Sequence, residues 1–184
     1  MPILGIIASQ MSGHLTPIYT NDYESISTVT LSSSQSSIDF TSIPSTYKAL
    51  QIRGISAGDF NTNVRMRFNT SAGSYTYNGM QGGPGYGTGV YNTSSTSQNA
   101  ITAYDQQLGN STYFNGTIID IVDYTNTNKY RSAKTISGVN NTTTGFVYYL
   151  GGTWFSTSAI NQITLFPLSG IFYSGTTFAL YGMK

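Results

Sequence analysis

The segment Asn63-Val64-Arg65-Met66-Arg67-Phe68-Asn69 sets apolar side chains at every second position, with charged side chains between them. Successive side chains of a strand point to opposite faces, so a period of two buries one row only if the backbone is extended. The segment reads as a half-buried antiparallel strand, with Val64, Met66 and Phe68 inward and Arg65 and Arg67 in solvent. The same period recurs in three other places. Leu50 and Ile52 alternate with Gln51 and Arg53, Phe146 and Tyr148 with Val147 and Tyr149, and Phe178 and Leu180 with Ala179 and Tyr181. Ile26, Val29 and Leu31 predict a further strand, Ile38, Phe40 and Ile43 another closed by Pro44, and Ile163 with Leu165 one more. From Gly116 to Tyr124 the run Ile118, Ile119, Ile121, Val122 reads as burial on both faces, hence a central strand. Tyr130 to Gly138 gives a weaker pattern through Tyr130, Ala133 and Ile136.

About nine short strands separated by Gly, Asn and Ser turn signals, with no long helical period, predict an all-β fold. The expected architecture is an antiparallel β-sandwich, jelly-roll-like. A chain of 184 residues accommodates one such domain and a terminal arm. We divide it into an arm, residues 1–20, and a single sandwich, residues 21–184, interrupted by a Gly- and Tyr-rich excursion at 71–112. Within the excursion, one short strand is expected around Tyr75 and Tyr77, and a short helix near Ser97 to Tyr104.

Composition narrows the function. Charged residues make up 8% of the chain, against about 25% in ordinary globular proteins. The net charge is +1, which leaves no electrostatic footprint for nucleic acid. Arg65 with Arg67, and Lys129 with Arg131 and Lys134, read as solvent faces of strands. Such a surface stays soluble through hydroxyls and amides or is covered by partners. Cysteine is absent, which removes disulfides, thiolate chemistry and Cys-ligated metal. The apolar start, Pro2 to Ala8, lacks a basic region before it and is too short for a span, so neither a signal peptide nor membrane insertion is expected.

The catalytic inventory is small. His14 and Glu24 are the sole residues of their types. A Ser-His-Asp arrangement would depend on His14, which has no nucleophile elbow near it. Asp120 and Asp123 offer paired carboxylates for glycoside hydrolysis, but three residues apart on a strand they face opposite ways. Gly82 to Gly89 lacks the Lys-Ser/Thr ending of a phosphate loop. Asn69, Asn92 and Asn115 begin glycosylation sequons of a kind that Asn/Thr-rich composition produces by chance. The expectation is a non-enzyme with no cofactor and no metal.

Two groups of residues are candidates for binding. The arm from Pro2 to roughly Leu15 carries Ile3, Leu4, Ile6, Ile7 and Met11, which read as an anchor docking on a neighbouring subunit; the alternative is a first edge strand of the domain. Tyr75, Tyr77, Tyr86 and Tyr91 crowd the excursion, and tyrosine gives rigid, amphipathic contact area suited to protein or sugar surfaces. The alternative is tyrosines packed on their own domain. Trp154 reads as core or interface.

Three segments resemble a known group when taken together. They are Ile3-Leu4-Gly5-Ile6-Ile7-Ala8-Ser9, the run from Phe40 through Ile43-Pro44 to Ile52-Arg53, and the closing Phe178-Ala179-Leu180-Tyr181-Gly182-Met183-Lys184. In this order they resemble virion proteins of tailed bacteriophages, abundant in cyanophages, of the capsid decoration, head fibre or tail fibre type. The stretch 71–112 has no counterpart in that resemblance. It implies a β-sandwich in an oligomer, often a trimer, located in the virion after synthesis in the host cytoplasm. The implied partners are capsid or tail subunits and, for a fibre, a host surface glycan. A carbohydrate-binding module acting outside any virion is the competing reading.

Overall fold

A computed structural model describes residues 22–59, 62–84, 87–92, 99–106, 112–140 and 145–184. The proposed arm, with Ile3, Leu4, Ile6, Ile7, Met11 and also His14, lies outside the described residues, as does Tyr86.

Twelve strands are described: β1 Tyr23–Thr30, β2 Ile38–Phe40, β3 Ala49–Ser56, β4 Thr62–Phe68, β5 Tyr75–Gly83, β6 Gly87–Asn92, β7 Ile101–Gln106, β8 Asn115–Val122, β9 Arg131–Asn140, β10 Gly145–Trp154, β11 Ile163–Pro167 and β12 Thr177–Met183. They form an eight-stranded sheet, β1-β12-β3-β8-β9-β10-β5-β6, and a four-stranded sheet, β2-β11-β4-β7, with every pairing antiparallel. This is the all-β antiparallel sandwich that the alternating segments predict.

The wiring is that of a jelly roll. If the meander β8-β9-β10 is counted as one broad strand, the chain from β2 to β11 visits the small sheet, the large, the small, the large twice, the small, the large and the small. That is the double Greek-key path. β12 and β1 then extend the large sheet beyond β3.

The excursion at 71–112 departs from expectation. Its described residues are organised as β5, β6 and β7, and Ile101–Gln106 is a strand where a helix was expected. The period-two rows of β5 are short of large apolar residues because glycines stand at 79, 82 and 83, so the sequence masks a strand that pairs along its length with β10.

The two sheets close on one core. Val64, Met66, Phe68, Ile163 and Leu165 of the small sheet meet Leu50, Ile52, Ile119, Ile121, Phe178 and Leu180 of the large, all fully shielded from solvent. At Gly152 on the inner face of β10, an added Cβ would collide with the Ile101 side chain of β7, so the glycine sets how closely β7 approaches. Phe68, Tyr75 and Trp154 form an aromatic cluster, with Tyr75 stacked on Trp154 at 6.0 Å between centroids. After β4 the chain reverses through Asn69 and Thr70, at φ 50° and 58°. Asn tolerates that left-handed region better than most residues. The Asn69 side chain donates to the Ala159 carbonyl at 2.7 Å and accepts the N–H groups of Asn161 and Gln162.

One basic residue is misplaced by the sequence reading. Arg131 is fully buried at the start of β9, not on a solvent face. Its guanidinium donates to the carbonyls of Tyr124, Lys129 and Thr157, tying the β8–β9 turn to the segment after β10. Burial lowers its pKa, and the Asp123 carboxylate opposes that shift. The five-donor fork satisfies three backbone oxygens that no apolar side chain could serve.

Candidate binding surface

The outward faces of the two sheets differ in chemistry. On the small sheet, Arg65 lies over the Tyr77 ring at 4.9 Å and Arg67 over Phe166 at 4.7 Å. The Arg67 Nε also donates to the Asn99 carbonyl. Asp39 accepts from the hydroxyls of Thr164 and Ser37. This face is mostly polar, with the two arginines half-buried on the outward side beside Phe166 and the exposed Leu168.

The large sheet turns an apolar face outward. Register places Ile118 of β8 across from Ile136 of β9, Ile136 across from Tyr149 of β10, Tyr149 across from Met80 of β5, and Met80 across from Val90 of β6. These five form one unbroken row perpendicular to the strands, with exposures from 43% at Tyr149 to 84% at Val90. The adjacent row runs Ile55, Gly116, Gly138, Val147, in which the two glycines form a bare trough between exposed Ile55 and Val147. On the other side lies a polar belt. There Gln51 donates to Asp120 at 2.6 Å and Lys134 stands opposite Asp120, while Arg53, at the end of the ridge row across from Ile118, donates to Gln51. Arg53 is also held over the rings of Tyr23 and Tyr181. Beyond the belt, Tyr23 and Val122 are again exposed.

The run Ile118 to Val122 is therefore a central strand as read, but only half of it is covered. Ile119 and Ile121 are buried, whereas Ile118 is 45% and Val122 50% exposed. The sequence reading also missed Ile136, Val147, Tyr149, Met80 and Val90 as a group. The available signal was apolar residues at both parities of β10, where Phe146 and Tyr148 fill the core and Val147 and Tyr149 form a second apolar row.

The tyrosines proposed for glycan contact are not gathered into a site. Tyr75 is fully buried, a correction to its reading as a surface contact. Its hydroxyl accepts the Phe68 N–H at 3.0 Å and lies within hydrogen-bond distance of the Phe68 and Ser71 carbonyls, and burial raises its pKa. Tyr77 is half-buried beneath Arg65. Tyr86 and the side chain of Tyr91 lie outside the described residues.

The carboxylates are separated in role. Asp120 points outward from β8 onto Gln51, whereas Asp123 lies past the strand end at φ 51° and pairs with Lys129. Among the described residues no three His, Cys, Asp or Glu side chains gather as metal ligands, and no helix is long and apolar enough to cross a membrane.

No family model matches the chain, and no curated protein matches it. Among solved structures, the chain is similar to the marine PL-14 alginate lyase from Aplysia kurodai at 10% identity. The match covers 95% of this chain and 94% of that one, with a TM-score of 0.30. A likeness at that level carries no argument about what this chain does.

Proposed function

We propose that this chain is a structural protein of a tailed-phage particle, displayed on its surface and acting by binding rather than by catalysis. The observation that carries the reading is the asymmetry of the sandwich. One outward face is mostly polar, while the other presents a cross-strand apolar row of Ile118, Ile136, Tyr149, Met80 and Val90. The seven contiguous apolar side chains of that face, 43% to 84% exposed, leave on the order of 500 Å² of apolar surface, at the upper end of what a monomer shows. Such a face belongs to a protein that works inside an assembly. The low charge and the three-segment resemblance support the same reading.

Within the particle, capsid decoration is the favoured role, with the arm from Pro2 to Leu15 as anchor. Burying Ile3, Leu4, Ile6 and Ile7 on a capsid subunit would contribute about 1.5 to 3 kcal/mol per side chain before ordering costs. The test is deletion of residues 2–12. The truncated chain should fold and fail to join particles; incorporation at full occupancy sinks the anchoring role. Copy number then separates decoration from a tail fibre contacting host glycans, since a capsid lattice takes far more copies than a tail. A free carbohydrate-binding module is disfavoured by Tyr75, whose ring has no open face to offer a sugar.

A further inference from the structure

We propose that the apolar outer face of the eight-stranded sheet is the contact between copies of this chain. The inference rests on the assembly reading and goes further by naming the partner as a second copy. Three observations on that face select it.

The face is complementary to itself. The Ile118–Ile136 ridge stands immediately beside the Gly116–Gly138 trough, one residue pair along the same strands. Rows on one face of a sheet are about 7 Å apart, so a copy turned face to face can seat its ridge in the trough while offering its own trough in return. An isologous contact needs this property.

The fold does not require either glycine. Both sit in strands, and neither has a positive φ. A Cβ at Gly116 would meet nothing within 4 Å, and one at Gly138 would make ordinary contact with the Phe146 carbonyl. Glycine inside a strand weakens it and often marks a bulge, a bend or the close approach of another group, and the β8–β9 register runs through this pair without a bulge. Gly152 on the inner face shows that logic already satisfied within the chain, because Ile101 occupies the space.

Charge and area also fit a like partner. Arg53 ends the ridge row across from Ile118, where it is held by Gln51 and the rings of Tyr23 and Tyr181; the rest of the ridge and the trough carry no charge, and the flanking belt sets Asp120 against Lys134. The apolar patch, the belt and the exposed Tyr23 and Val122 beyond it together approach the roughly 800 Å² per partner of a standard interface.

The test is analytical ultracentrifugation of the full chain beside Gly116→Val and Ile136→Glu, with circular dichroism and thermal melts to establish folding. Wild type should sediment as a multiple of 19.9 kDa at micromolar concentration. Gly116→Val, which fills open space in the free subunit, should fold yet raise the concentration for half-association by roughly tenfold or more. Ile136→Glu should be a folded monomer. A wild-type chain that stays monomeric overturns the proposal. So do two folded variants that associate like wild type, or association abolished by removing residues 2–12 but indifferent to both face variants. Capture of a monomeric wild type by neutral phosphatidylcholine vesicles would instead assign the face to lipid. A monomer that still joins particles at full occupancy sinks this proposal alone, whereas an oligomer absent from purified particles sinks the particle reading alone.

Discussion

Ile118 and Ile119 are chain neighbours with opposite surroundings: Ile119 is fully buried between the sheets, and Ile118 stands 45% exposed across from Ile136. Ile119→Ala should therefore cost about 2–5 kcal/mol through lost burial and a residual cavity. In dilute solution, Ile118→Ala should stay within about 0.5 kcal/mol of wild type, as surface substitutions usually do. Urea unfolding at the lowest workable protein concentration reads both, and equal losses would mean that Ile118 is covered within the subunit.

Tyr75 joins the turn after β4 to the aromatic cluster through its hydroxyl and its ring. Tyr75→Phe removes the acceptor of the Phe68 N–H and should cost about 1–3 kcal/mol, the penalty for a buried donor left unpaired. Tyr75→Ala should cost more, about 3–5 kcal/mol. If either variant changes glycan binding while its melting temperature is unaltered, the buried, structural role assigned here is wrong.

Arg131→Met keeps much of the stem volume but strips the donors from three backbone carbonyls. The expected loss is on the order of 3 kcal/mol, the scale of leaving buried polar groups unsatisfied. Chemical denaturation compared with Lys129→Met gives the control, because Lys129 is exposed and pairs only at the surface.

Glu24 of β1 and Lys184 after β12 form an exposed ion pair at 2.9 Å. Glu24 has its pKa lowered from 4.5, first by the hydrogen bond from Lys184, and Lys184 has its own raised from 10.5 by the same bond. A lowered carboxylate pKa contributes stability above 4.5 that is lost as pH falls through the folded value. A raised ammonium pKa contributes stability below 10.5 that is lost as pH rises through the folded value. The melting-temperature difference between wild type and Glu24→Gln should be small at neutral pH, vanish at both extremes and shrink with salt. A difference that persists in strong acid would point to something other than this pair.

The parts legible in the sequence were those where one strand face is buried and the other solvated. β4 is the clearest case, with Val64, Met66 and Phe68 inside and the two arginines outside. β9 blurs the rule. Thr135 and Ser137 point inward beside Ala133 and Val139 while Ile136 points out, so the apolar residues mark no single parity clearly. β8 and β10 are apolar at both parities, which specifies a strand but cannot say whether the second row meets the same chain or another. β5 was hidden by its glycines, and Arg131 by the general rarity of fully buried charge. The candidate surface was thus written in the sequence as a run of ambiguous strands, resolved only when register set their outward rows side by side.

The three-strand turnback from β8 to β10 has a consequence for how such a chain can vary. Because β9 and β10 are added as a pair, the backbone leaves β10 heading as it left β8, and the path onward to β11 is undisturbed. Each such pair broadens one layer by about 10 Å, two strand spacings, while the opposing layer keeps its four members. Gaining or losing a hairpin here would resize the outer platform without rerouting the chain, so its width can change independently of the knot of aromatic and aliphatic groups that holds the layers together.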